Sequence, residues 1–406
     1  MTALTDPPKE SFRIGMLLSD TRYRSLTFQA IALLVLIYCI ATLANNLVTN
    51  LAAAGLNISF DFLNAPSGYD INQTLIPYTS QSTNLQAAWV GIINTLLVAV
   101  LACATATIFG VIAGVLRLSN NWLVRKLMSF YVEIFRNIPV LIWIIIIFTI
   151  ITAALDSPRA YLGDDPSKQL GLGYFAFTNR GIYVPLPVWG PGSGIVVGVF
   201  FASIIGVFAY RRYAKKLLFD TGRLLPMGWP SLVILFVPAI IVYFVMGSPI
   251  SLDAPDPLAN RFNLQGGLQV PAPLIALWFA LSIYTGAFIA ENVRAGIQAV
   301  SKGQTEAAAA LGMRPRRIMN LVVLPQALRV IIPPLISQYL NITKNSSLAI
   351  AVGYADITAT LGGITLNTSG RAIECILLLM LFYLIISLSI SAVMNVYNNA
   401  IKLKER

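Results

Sequence analysis

Eight long apolar runs, parted by short polar stretches, organise this chain. They fall near 27–48, 88–116, 127–154, 193–210, 229–248, 273–296, 327–352 and 372–398. Crossing a hydrocarbon core takes about 20 apolar residues, and most of the runs meet that length. The runs at 193–210 and 229–248 are short, and the seventh is interrupted by Pro333, Pro334, Asn341, Lys344 and Asn345. The pattern predicts an all-α polytopic membrane protein with about eight transmembrane helices. Composition agrees: 57% of residues are hydrophobic and 11% charged, against about 25% charged in soluble domains.

Charge adds orientation. The net charge is +11, but its placement is uneven. The loops after the first, third, fifth and seventh runs hold five basic residues: Arg159, Lys168, Arg180, Arg261 and Arg371. Of the other 23 of 28, Lys344 lies mid-span and the rest lie on the opposite side or within span ends, as in the RRYAKK that begins at Arg211. The positive-inside rule therefore puts both termini in the cytoplasm. It also accounts for the basic residues without nucleic acid. The first run is longer than a signal-peptide core of about 7–15 residues, so an uncleaved first span is expected.

Candidate chemistry is sparse. There is no histidine, which removes imidazole as a base, proton relay or metal ligand. Cys39, Cys103 and Cys375 lie inside apolar runs without CxxC spacing, so they are expected as buried small hydrophobes. There is no Gly-Lys pair and hence no Walker A loop. No GxSxG is present either. The chain is expected to bind no metal or cofactor and to do no bond chemistry.

One charged island stands out. Residues 306–325 read EAAAALGMRPRRIMNLVVLP, between two apolar runs. Ser301 or Thr305 can cap a helix start, with Glu306 near the positive end of its dipole. Alanines 307–310 favour helix, Gly312 suits a left-handed stop, and Pro315 suits the first turn of a second helix. By residue type alone, this is a solvated loop helix with ordinary positive-inside arginines, or a close-packing surface.

The order Glu-Ala-Ala, Gly312, then Val322-x-Leu324-Pro325 resembles the EAA signature of membrane subunits of binding-protein-dependent ABC importers, with Val322 in place of the family's isoleucine. The resemblance implies a coupling helix, with Glu306, Ala307, Ala308, Gly312 and Arg314 meeting a groove of a cytoplasmic ATPase. ATP and Mg would then be used by that partner.

Further stretches resemble the polar amino-acid branch of these permeases: GIINTLLVAVLACATATIFGVIAGVLRLS from Gly91, YVEIFRNIPVLIWIIIIF from Tyr131, YTGAFIAENVRAGIQAVSKGQTEAA from Tyr284 and VLPQALRVIIPPLISQYLNITKNSSLAIAVG from Val323. The resemblance implies a type I ABC importer five-helix core, in parts 87–154 and 272–406. Segment 1–86 adds a cytoplasmic N-terminus, a first helix and an outer loop. Segment 155–271 adds an inserted helical hairpin with outer loops rich in Pro, Gly and Asp. This enlarged layout is similar to that of the larger permeases of general L-amino-acid importers. It implies a polar L-amino acid as substrate, such as glutamate, glutamine, aspartate or asparagine. The implied partners are a second homologous permease, two copies of the ATPase and a periplasmic binding protein, all in or on a lipid membrane.

Ionisable residues inside spans are costly and functional by default. Glu133 with Arg136, and Glu291 with Arg294, stand three apart on one helical face, so each pair either neutralises itself or lends an arginine to a substrate. Lys344 lies mid-span with Asn341, Asn345, Ser346 and Ser347, as a substrate-path element or a buried hydrogen-bond cluster. Glu374, at the outer end of the last span, is expected to face water. The competing reading is an ion-coupled secondary amino-acid transporter, which needs more mid-membrane carboxylates than this chain offers.

Overall fold

The computed structural model describes Gly15, Leu18 and residues 21–53, 55, 58–162, 170–256 and 263–401. Lys168 and Arg261, counted above, lie outside them. Among the described residues, eight helices are long and apolar enough to cross a membrane. The chain is a mostly helical, multi-pass membrane protein. It divides into two compact units, Met1–Leu63 and Asn64–Arg406. The first contains α1 (Thr21–Ala53). The second contains everything described below.

Its spanning frame begins with α2 (Asn84–Leu116), capped by Thr83, whose side chain accepts from the Gln86 N–H. The expected third span, 127–154, is two helices. They are α3 (Trp122–Asn137) and α4 (Val140–Ala154), parted at Ile138-Pro139. Pro139 lacks a donor and its ring pushes Ile138 out of the helical region; Ile138 is extended at φ −109° and ψ 131°. Arg136 and Glu133 therefore sit on α3, outside the span. α3 is amphipathic: Val132 is buried near Ala113, Ala287 and Ala290, while Leu127 and Phe130 are exposed.

The block before the next core helix holds more than loops. Strands β1 (Ala176–Thr178), β2 (Gly181–Val184), β3 (Leu186–Trp189), β4 (Ile250–Asp253) and β5 (Leu268–Pro271) form two antiparallel sheets, ordered β1-β2-β5 and β3-β4. Three or four residues are too few to show an alternating pattern in sequence. Between β3 and β4 runs a helical hairpin, α5 (Ser193–Thr221) and α6 (Gly228–Val245). α5 is 29 residues long and outruns its apolar stretch by nearly three turns, because alanine, lysine and leucine continue a helix as readily as the apolar residues do.

The centre of the unit is α7 (Ala272–Gln298), which packs against α2, α3, α4 and the later α9. Ala276, Ala280, Ala287 and Ala290 are fully buried along it. Helices in lipid gain little from apolar burial alone, so small residues that admit close contact decide who meets. A Cβ at Gly114 would stand 2.7 Å from the Ala290 carbonyl oxygen, and one at Gly296 would stand 2.3 Å from Ile331 Cγ1.

After α7 comes α8 (Lys302–Ala310). A turn at Pro315–Ile318 and a π-turn at Met319–Val323 then lead into α9 (Leu324–Asn345). The π-turn sits just ahead of Pro325, whose missing N–H and bulky ring an α-helical register would not accommodate there. The seventh span therefore starts earlier than expected, and Pro333 and Pro334 lie inside α9 without ending it. A 3₁₀ stretch (Ser346–Val352), a short broken helical run from Ile357 to Ser369, and α10 (Ala372–Ile401) complete the unit. Cys375 is buried as expected, Cys103 is half-buried, and Cys39 is exposed along α1.

Candidate functional site

The second unit has two unlike ends. One carries the sheets, the 64–83 segment and the 353–371 segment. The other, a basic face, carries the ends of α2, α5 and α7 and the whole of α8.

α8 starts after Ser301, which has no side-chain cap bond, and Thr305 is inside the helix with Oγ1 donating to the Lys302 carbonyl at 2.7 Å. Glu306 consequently lies in the second turn and not at the dipole's positive end, as the sequence reading had it. Gly312 ends the helix at φ 74°, as expected, with its N–H donating to the Ala309 carbonyl at 2.9 Å. Arg314 is extended and Pro315 opens the next turn. Ala308 is buried against its own chain, whereas Glu306, Ala307, Ala309, Ala310 and Arg314 are exposed. Leu311 is 83% exposed. Sequence reasoning missed this leucine, because a single apolar residue after an alanine run carries no periodic signal. The result is a short, rigid, small-residue ridge tipped by one large apolar side chain, three residues beyond the central helix α7.

Behind the ridge lies an ion cluster. Glu291 on α7 pairs with Arg294 at 2.5 Å, with Arg117 at the end of α2, and with Arg136 on α3 at 3.7 Å. Arg136 also stacks 5.2 Å from the Phe288 ring centroid. The Glu133–Arg136 pair does not form; Arg136 meets Glu291 and Phe288 of α7 instead. Arg117 and Phe288 were not anticipated; only the tertiary fold brings them here. One carboxylate thus ties the ends of three helices together.

The Lys344 group does not converge. Lys344 and Asn341 are exposed on this chain, Asn345 and Ser347 are half-buried, and Ser346 is fully buried. Ser346 and Ser347 donate to the carbonyls of Thr343 and Lys344, both at 2.7 Å. Those hydroxyls serve their own helical turn, with Tyr383 beside both, and among the described residues no hydrogen bond joins them to the side chains of Asn341, Lys344 or Asn345. Glu374 is 5% exposed and accepts from Arg371 at 3.4 Å, rather than facing water.

At the opposite end lies a cavity of about 830 Å³, lined in part by Asp70, Asn72, Gln73, Thr152, Arg180 and Tyr354. Its size falls in the range of about 300–1,000 Å³ usual for small-molecule sites. The wall is held by bonds between distant segments. Asn94 donates to the carbonyls of Gln73 at 3.0 Å and Ala355 at 2.9 Å, and Tyr354 donates to the Asn94 carbonyl at 3.1 Å. Next to this wall, between the last two spans, Asp356 caps the short helical run by accepting from the Ala359 N–H at 2.8 Å. Burial pushes its carboxyl up to about 7. None of these residues was singled out in the sequence as a site residue, Arg180 figuring only in the loop charge count, and they are scattered through separate segments.

The second unit is thus a polytopic frame whose buried central helix is followed, three residues on, by an exposed ridge. The family model for the binding-protein-dependent transport system inner membrane component matches residues 194–404, and the chain belongs to that family. The match runs through the boundary expected at 271/272 and takes in α5 and α6. Among curated relatives, the glutamate/glutamine/aspartate/asparagine transport system permease protein BztB of Rhodobacter capsulatus is 49% identical, over 100% of both chains. The general L-amino acid transport system permease protein AapQ of Rhizobium johnstonii is 43% identical over 98% of this chain and 96% of its own. The glutamate/aspartate import permease protein GltJ of Escherichia coli is 32% identical over 41% of this chain and 67% of its own.

Proposed function

We propose that this chain is the permease subunit of an ATP-driven, binding-protein-dependent importer of polar L-amino acids in a bacterial inner membrane, with both termini cytoplasmic. The basic face is the cytoplasmic one by the positive-inside bias. There α8 docks in a groove of an ATPase subunit, Glu306 meeting basic groups and Ala307 and Leu311 filling the groove. ATP and Mg belong to the ATPase, present in two copies. A homologous second permease completes the path, and a periplasmic binding protein delivers substrate to the cavity beside Arg180 and Tyr354. Whole-length likeness to amino-acid permeases supports the substrate class.

The observation that carries the reading is the exposed Glu306–Leu311 ridge ending at Gly312 and continuous through Pro315 with a span. Rigid elements of this kind transmit a two-state motion. Arg136 and Arg294 are held by Glu291, so their part in the substrate path is to clamp the helices at its inner end. Lys344, Asn341, Asn345, Ser346 and Ser347 line the path only if the sister permease closes against the exposed side of α9. The test is amino-acid-stimulated ATP hydrolysis by the reconstituted transporter. Wild type should respond to polar amino acids; Glu306→Lys should assemble and lose the response. A Glu306→Lys transporter that responds as wild type does would refute the coupling role.

A further inference from the structure

On the basic face, away from α8, the hairpin of α5 and α6 borders a second, open pocket of about 690 Å³, lined by Arg211, Arg212, Lys215, Met227 and Gly228. No acidic side chain lines it. Arg211, Arg212 and Lys215 take part in no ion pair among the described residues. Arg211 is fixed from the second helix: its Nε donates to Ser231 Oγ at 3.3 Å, and that buried hydroxyl donates to the Met227 carbonyl at 2.5 Å. α6 begins at Gly228 with no side-chain cap, which leaves its first N–H groups and positive dipole end at the same place. The cavity is therefore positive on every polar wall.

Its depth in the membrane follows from helix length. Arg211 stands 18 residues after the start of α5 at Ser193. At about 1.5 Å per residue this is about 27 Å, close to the thickness of a hydrocarbon core of about 30 Å. α6, with 18 residues, begins at the same level. The cations thus stand where phosphates stand. Around them the hairpin is apolar and open: Phe208 is 68% exposed and Trp229 76%. α5 and α6 pack chiefly against each other, so these faces meet lipid or nothing in this chain.

We infer that this cavity binds the phosphate headgroup of an anionic phospholipid from the leaflet at the basic face, with its acyl chains along the open sides of α5 and α6. A phosphate diester carries one negative charge and oxygens that a guanidinium fork engages in pairs. Basic pockets between spanning helices at the cytoplasmic surface suit such headgroups. The inference is independent of the proposed transport function.

The test uses the purified full chain in neutral detergent and native mass spectrometry, titrating phosphatidylglycerol against phosphatidylcholine. Wild type should retain a first phosphatidylglycerol and prefer it to phosphatidylcholine. Arg212→Gln/Lys215→Gln should weaken that first binding about thirtyfold, from the loss of two charges near a phosphate. Arg125→Gln/Lys126→Gln, an equal charge loss on α3, should leave it unchanged, and the charge-keeping Arg212→Lys/Lys215→Arg should restore most of it and show that the fold is intact. Equal weakening by both neutral pairs, or equal retention of phosphatidylcholine, overturns the site. Displacement of the lipid by millimolar inorganic phosphate marks a free-anion site and overturns the lipid assignment.

Discussion

The central helix α7 and the hairpin α5–α6 are all apolar enough to cross a membrane, yet they are built for different neighbours. In α7, 61% of the spanning window is buried; in α5 and in α6 it is 11%. The difference is carried by small residues. α7 puts alanines and glycines where α2 and α9 press in, while the hairpin presents Phe, Ile and Val outward. Apolarity alone chooses the membrane; the distribution of small residues chooses protein or lipid as the neighbour. The two proposed sites fall on the same split, the ridge following the buried helix and the basic pocket lying in the open hairpin.

The sharpest way to break this comparison is to add the same side chain in both places. Gly114→Val drives a Cβ into the Ala290 backbone and should cost about 3 kcal/mol or abolish folding, read as the thermal midpoint in detergent. Gly198→Val in α5 meets nothing within 4 Å and should be neutral or slightly stabilising. Similar losses at both sites would erase the distinction.

At the sheet-bearing end of the packed core, Asp356 supplies a pH signature. Its carboxyl is raised from 3.8 to about 7 by burial. The folded form then keeps a proton that the unfolded chain has lost, so stability falls as pH rises from about 4 to about 7. Asp356→Asn, which can still cap Ala359, should remove that slope. It should stabilise the protein at pH 8 by on the order of 3 kcal/mol and do little at pH 4. A midpoint that is flat with pH in wild type would contradict the burial account.

Smaller effects sharpen the picture. Glu291→Gln leaves three arginines together and should lower stability by about 1–2 kcal/mol, discounted because the cluster is partly exposed, with the loss growing at low salt. Ser231→Ala should cost under about 1 kcal/mol, confined to the hairpin, and be visible as faster amide exchange in α5 and α6 while α7 is unaffected.

Much of the architecture could be read from residues in order. Apolar length gave the number of spans and most of their positions, although the third expected span took in α3 together with α4, and Gly312 and Pro315 marked the end of α8 and the start of the next turn. What escaped depended on encounters between distant segments. Three-residue spacing offered Arg136 either Glu133 or a substrate, whereas it pairs with Glu291 on another helix. The break at Ile138-Pro139 was hidden inside a continuous apolar run, since hydropathy is blind to a missing N–H. Glu374 looked solvent-facing from its position at a span end, yet it is buried beside Arg371. The cavity lined by Arg180 and Tyr354 is drawn from separate segments that no local pattern links.

The central claim is that the ridge of α8, tipped by Leu311, is a docking surface for an ATPase. Copurification of the tagged ATPase subunit with wild type and with Leu311→Asp tests it most directly. The side chain is 83% exposed, so the substitution should leave the permease folded and its thermal midpoint unchanged. The account predicts that Leu311→Asp loses the ATPase, by at least about tenfold in affinity. Full retention of the ATPase by a folded Leu311→Asp permease would contradict it.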